Sequence, residues 1–186
     1  MAVTAAENHT VVDRRRIELV EPGLPPAPIH HEGGAFPLHE PAEPLDDDAL
    51  SALVAEVCAS TYRTAAAALD ALAADVSEPI TSMSLRAWPA DFPTDIAVLR
   101  RVPYESRADS IMYLEVLAEL AGERSWTVHL YDAKDVEREA TRVLGPRTDS
   151  VLHGPRRILG PPWSKDHRMA LAATIVAELG ESATAS

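Results

Sequence analysis

Residues 96–132, IAVLRRVPYESRADSIMYLEVLAELAGERSWTVHLYD, decide how this chain is read. The branched side chains of Ile96–Val102 predict a strand, and Pro103 ends it. Ser106-x-x-Asp109 has the spacing of a capping box, with Asp in place of the usual Glu. Met112, Tyr113, Val116, Leu117 and Leu120 then share one helical face, and Gly122 fits the C-cap. Trp126–Leu130 predicts a second strand. Asp132 is placed to start a further helix with Val136, Ala140, Val143 and Leu144 on one face, stopped by Gly145-Pro146.

Working outward, the three acids Asp46–Asp48 favour a helix start, and Leu50, Leu53, Val54 and Val57 recur at helical spacing. Ser60 or Thr61 is expected to begin a second helix through the Ala-rich run, which Pro79 stops. Ile80–Trp88 alternates as a strand does. Toward the C-terminus, a short helix is expected around Asp149–Leu159. After GPPW, Ser164 caps a last helix that is apolar almost all round. The expected fold is α/β: a small mixed sheet flanked by helices, in a partial RNase H-like or a Rossmann-like arrangement. A single domain is placed at residues 46–181, with a disordered tail at 182–186.

Residues 1–45 hold seven of the fifteen prolines and show no sustained period. Proline fixes φ and removes an amide donor, so an extended, disordered Pro-rich arm is expected there. His30, His31, Glu32 and His39 are metal-ligand types, but no rigid element is expected to fix their geometry. Ile29, Phe36 and Leu38 are candidate apolar anchors for docking the arm on another protein.

The chain has 186 residues, 46% apolar, and a formal charge of −12. Met1–Asp48, the arm with the three acids that follow it, carries ten acidic residues and three arginines, so this stretch accounts for −7 and the remainder for −5. A net negative surface repels phosphate backbones, which argues against nucleic-acid binding. The single Cys58 cannot form an internal disulfide or a thiolate zinc site. No apolar run reaches the ~20 residues that span a bilayer, and the first residues lack a secretory pattern. A cytoplasmic protein without membrane contact is the default expectation.

The usual phosphate-cradling glycine motifs, H-E-x-x-H, paired C-x-x-C and G-x-S-x-G are all absent. The remaining polar groups lie at expected strand ends and helix starts, where α/β domains keep their sites. They are Tyr104, Glu105, Arg107 and Asp109; Asp132, Lys134 and Asp135; and Asp166 with His167. If these edges converge, Asp166, His167 and Asp109 form a candidate metal site for Mg²⁺ or Mn²⁺, with Glu105 and Asp132 as further catalytic candidates. No cofactor is implied outside that case. Each acid also has an ordinary role as a helix cap worth about 1 kcal/mol. Arg100, Arg101 and Arg107 are candidate ligands for an anionic group, or solvated charges. His129 lies within a strand, where a structural imidazole is the commoner role.

The order helix, strand, helix, strand, helix, Ala-rich helix resembles the C-terminal half of the RNase H-like fold, most of all the RuvC-type Holliday junction resolvases. Ala108-Asp109-Ser110 resembles the family's helix start after its V-A-I-E strand, and Asp166 matches the first acid of its last helix. The resemblance covers about residues 61–179 and implies two-metal phosphoryl hydrolysis. The family's strand-end Glu falls on Leu99, its second helix acid on Met169, and its first strand has no counterpart. Those departures imply a domain that is not a working resolvase. The leading expectation is therefore a non-catalytic protein-interaction domain with a docking arm. The alternatives are a divalent-metal-dependent hydrolase or nuclease and a Rossmann-like binder of small anions.

Overall fold

The computed structural model describes residues 1–34 and 43–184, the side chains of 179–184 excepted. Phe36, Leu38 and His39 lie outside the described residues. The protein is α/β, with two two-stranded sheets and several flanking helices. It divides into two compact units, both discontinuous in sequence.

The first unit comprises Met1–Ile17, Ala71–Ala87 and Ala121–Ser186. Strands β1 (Ala2–Ala5) and β2 (Val11–Arg15) form an antiparallel hairpin. Its turn is held by Asn8, whose Oδ1 accepts from the Thr10 amide at 2.9 Å, and by His9 at φ 68°. This corrects the reading of residues 1–45 as one irregular arm. The prolines begin only at Pro22, and the first 15 residues carry their own strand pattern and an Asn-centred turn. Strand β3 (Ser82–Arg86) pairs in parallel with β4 (Thr127–Tyr131), in register Ser82 to Thr127 through Arg86 to Tyr131.

Three more helices complete this unit: one at Val136–Leu144, a short one at Pro155–Leu159, and a long one at Lys165–Thr184 that contacts β1, β3 and the first of the three. The long helix therefore includes residues 182–184, which were expected in the tail. Val136, Ala140, Leu144, Leu152, Trp163, Leu171 and Ile175 are buried in one cluster. Ala172 and Ala173 are small enough for β3 to come close, and the Ser84 hydroxyl donates to the Ala173 carbonyl at 3.2 Å.

The second unit comprises Glu18–Asp70 and Trp88–Leu120. In chain order, α1 runs Asp47–Asp75, α2 Ile96–Leu99 and α3 Glu105–Glu123; the three helices of the first unit are then α4, α5 and α6. No break occurs in α1 at Ser60 or Thr61. Both side chains are buried, and the Thr61 hydroxyl donates back to the Val57 carbonyl at 2.8 Å. A hydroxyl satisfied four residues back supports the helix interior and is not free to cap a new start.

Ile96–Val102 is not a strand. Asp95 caps α2, accepting from the Ala97 amide at 2.8 Å, and its carbonyl receives the Val98 and Leu99 amides. With no neighbouring strand to pair with, the branched side chains do not outweigh that cap. Among the described residues, the sheet containing β4 has β3 as its only other member.

Residues 18–34 fold onto the second unit. Pro28–Gly33 forms a wide helical turn, and Ile29 is 1% exposed. Gly33 lies against the fully buried Leu50, so a methyl group at 33 would overlap that side chain. Gly33→Ala is expected to cost about 1–3 kcal/mol by overpacking. Denaturant titration should show that Gly33→Ala with Leu50→Ala loses less than the sum of the single losses, because Leu50→Ala removes the overlap.

Candidate functional site

The residues singled out by sequence fall in both units. In the second, Asp109 projects from the first turns of α3 and is buried. Its two oxygens accept from the amides of Ile29 and His30, each at 2.9 Å. Burial pushes its pKa up, the two amides and the neighbouring imidazoles of His30 and His31 pull against that rise. Both oxygens are therefore committed to backbone. Glu105, one turn earlier, is 4% exposed, and its Oε2 has no hydrogen-bond partner among the described residues. At the first turn of α3 it lies where the helix dipole favours a negative charge.

Arg100 is a brace as well. Its guanidinium donates to the carbonyls of Gly33 (3.0 Å) and Leu45 (2.6 Å) and pairs with Asp47. It is thus neither the expected solvated charge nor an open anion ligand. Arg101 and Arg107 are exposed, and among the described residues no hydrogen bond or ion pair joins either to Arg100. Cys58 is half-buried, and burial together with Glu119 and Glu115 pushes its thiol pKa up, away from nucleophilic use.

In the first unit, Asp132 accepts from the Lys134 amide at 2.7 Å, and its carbonyl receives the Asp135 and Val136 amides. Asp135 occupies the N-cap of α4 and pairs with Arg138. Both acids are helix-start groups. His129 is half-buried on β4 and interacts within the protein.

The start of α6 brings together the most chemistry. His167 is 2% exposed, and its ring lies 5.3 Å from that of Trp163. Its Nδ1 accepts from the Ser164 amide at 3.1 Å and lies 2.8 Å from the Ser164 hydroxyl. A Ser–His contact is the beginning of a nucleophilic pair. Here, however, Ser164 precedes the helix and His167 is its third residue, so the amide and hydroxyl of one residue address one nitrogen. That is the returning half of a capping box, with histidine in the Glu position and the Ser164 hydroxyl turned to the ring. Asp166 is exposed in the same first turn and acts on Tyr131, whose phenol pKa is pushed up chiefly by burial.

Among the described residues, no group of three or more His, Cys, Asp and Glu side chains could hold a metal ion. The expected set is divided: Glu105 and Asp109 belong to one unit, Asp132, Asp166 and His167 to the other. Sequence reasoning missed the partner of this helix start. Arg14, placed in the arm, donates to the carbonyls of Leu159 (2.8 Å), Gly160 (3.0 Å) and Pro162. The only available signal was the position of the Arg14–Arg16 run after two valines, at the end of a strand.

Two outcomes test these assignments. Asp109→Asn replaces one acceptor with a donor facing an amide and is expected to cost about 1–3 kcal/mol, read by denaturant titration. For His167, burial foremost, then the Arg14 charge, holds the pKa below the ordinary imidazole range, against the opposing pull of Asp166. A base with a depressed folded pKa stabilises fully above its unfolded value of about 6.5 and loses that contribution as pH falls through the folded value. The melting temperature of the wild type should therefore drop more between pH 7 and pH 5 than that of His167→Gln, which keeps an acceptor for the Ser164 amide and does not titrate. No protein-family model, curated protein or solved structure matches the chain.

Proposed function

We propose that this chain is a non-catalytic protein-interaction domain, and that it binds an extended segment of a partner along the open edge of β4. The observation that carries this reading is the parallel pair β3–β4, which has no third strand among the described residues. Parallel strands occur almost only in sheets of several members with both faces covered. A lone pair leaves a row of unpaired amides and carbonyls, the template for strand addition.

The register identifies the open groups. The Thr127 amide donates to the Thr81 carbonyl, and the Ala87 amide to the Tyr131 carbonyl, both at 2.9 Å. In a parallel ladder, alternate residues of a strand address one neighbour. Thr127, His129 and Tyr131 thus face β3, and the backbone groups of Val128 and Leu130 face the opposite edge. The Leu130 side chain is 53% exposed, although its registered partner Leu85 is buried. An incoming strand would cover Leu130 and pair with both backbones. The expected docking role of the arm is not part of this reading, because its anchor Ile29 is buried within its own unit.

The acids support the same reading from the other side. Asp109 and Asp132 are occupied by backbone amides, so metal-dependent hydrolysis would have to break caps to gain ligands. Two measurements test the proposal. Twelve-residue peptides selected by display against the full chain should protect the Val128 and Leu130 amides from hydrogen exchange and bind Leu130→Lys at least ~10-fold more weakly, about 1.4 kcal/mol. Peptides that bind Leu130→Lys equally well and leave those amides unprotected would remove the β4 edge from consideration. Millimolar Mg²⁺ or Mn²⁺ is expected to leave the melting temperature unchanged, whereas a rise that Asp166→Ala abolishes would favour the metal-dependent hydrolase.

A further inference from the structure

Helix α5 carries the most exposed large apolar side chain among the described residues. Ile158 is 85% exposed and Leu159 follows it at the surface, between Arg156–Arg157 and the Gly160-Pro161-Pro162 turn. Single exposed aliphatic residues are common on protein surfaces; here two adjacent ones, Ile158 and Leu159, directly follow the exposed Arg156 and Arg157, so apolar surface and positive charge lie side by side.

The segment that carries Ile158 is opposite in charge to the whole chain. Residues 142–168 contain Arg142, Arg147, Arg156, Arg157, Lys165 and Arg168 against Asp149 and Asp166, a balance of +4 in a chain of −12. Arg142, Arg147, Arg156 and Lys165 are exposed. Arg157 makes only a long contact of 3.6 Å with Asp149, both side chains being largely in water. Arg168 faces Glu137 at 3.7 Å and is the least available of the six.

This segment is held in place from its far side. Gly160, at φ 71°, ends α5 in a conformation that favours glycine, and the guanidinium of Arg14 gathers the carbonyls of Leu159, Gly160 and Pro162, with Pro161 at 3.5 Å. The Leu159 carbonyl is one that the end of α5 leaves without an intrahelical partner, and the others belong to the turn that follows. Arg14 thus fixes the turn that presents Ile158, and a surface already rigid loses less entropy when it binds.

We propose that the α5 knuckle, Arg156–Arg157–Ile158–Leu159, is a docking surface for a short acidic segment of another protein that carries a leucine or similar aliphatic residue between its carboxylates. Ile158 and Leu159 receive the aliphatic side chain, and the arginines pair with the flanking acids through charge-assisted hydrogen bonds. A nucleic acid would satisfy the arginines but would not use Ile158, and its long run of phosphates would also meet the acidic remainder of the chain. Arg14 is a positioning residue: it does not touch the partner.

The probe is a labelled peptide, Glu-Asp-Leu-Glu-Leu-Asp-Glu, titrated with the full chain and followed by fluorescence anisotropy. Binding is expected in the micromolar range at ~50 mM salt and to weaken several-fold at ~300 mM, as screening shortens the reach of the charges. Arg156→Glu with Arg157→Glu should weaken it at least ~10-fold, and Ile158→Ser ~5-fold, with melting temperatures unchanged because all three side chains are exposed. Arg14→Ala should weaken it while leaving every contacting side chain in place. Leu130→Lys should have no effect, which separates this surface from the β4 edge. The proposal is overturned if the peptide does not bind at millimolar protein, or if it binds the double-Glu variant equally well. It is also overturned if an oligouridylate of equal charge binds as tightly and ignores Ile158→Ser, or if the knuckle substitutions dissolve a dimer of the chain.

Discussion

An irregular backbone buried against helices must find hydrogen-bond partners outside itself, and in the second unit that requirement organises everything else. Residues 18–34 contain prolines at 22, 25, 26 and 28, which supply carbonyls but no amide donors. Apart from the wide helical turn at Pro28–Gly33 the segment has no regular element, so side chains of α1 and α3 complete the backbone. Asp109 takes the amides of Ile29 and His30; the Tyr113 hydroxyl donates to the Pro26 carbonyl at 2.6 Å. The Thr64 hydroxyl donates to the Leu19 carbonyl at 2.7 Å, and the Ser60 hydroxyl accepts from the Glu21 amide at 2.9 Å. Arg100 adds the Gly33 and Leu45 carbonyls. Removing Asp109 would leave the buried Ile29 amide without this partner, at a cost comparable to a helix cap or more; the other contacts are partly buried or, at Pro26, open to water and cost less to lose.

That requirement also explains why Asp109 and Arg100 stand out in sequence as candidate site residues. A buried carboxylate near a helix start and an arginine next to an acidic segment are the residue types an active site needs. They are equally the types that hold an irregular segment to a helix, because an ionised group bonds backbone about twice as strongly as a neutral one. The difference between the two roles lies in what the oxygens touch. For Asp109 both touch amides from 79 and 80 residues away in sequence, a pairing that no local pattern carries.

Helix faces and stops were legible. Val136, Ala140 and Leu144 form the buried face of α4 as their spacing implies, and α6 begins directly after Ser164. The strand at 127–131 lay within a residue of its expected limits, and the strand at 82–86 within two. The misreadings have two physical sources. Ile96–Leu99 has the side chains of a strand, but a strand is made by its partner, and Asp95 offers an immediate cap instead. The hairpin at 2–15 was hidden by averaging it with the prolines that follow, although Asn8 and the flanking valines mark it locally. The Ser164–His167 box escaped notice because histidine seldom stands in that position, and Arg14 because its partners are carbonyls some 146 residues away.

Net charge misleads in a related way. A total of −12 disfavours partners that sense the field of the whole molecule, such as a long duplex. At physiological salt, however, the field of an exposed charge decays over about 8 Å. A short peptide on α5 therefore meets Arg156 and Arg157 at full strength and much of the remaining acidity only weakly. Acidic groups elsewhere on the surface then act on selectivity, since they penalise any partner whose negative charge extends beyond the knuckle. The same composition that argues against a polyanion is compatible with the proposed small anion-bearing segment with an apolar residue at its centre, for which Ile158 supplies the apolar contact.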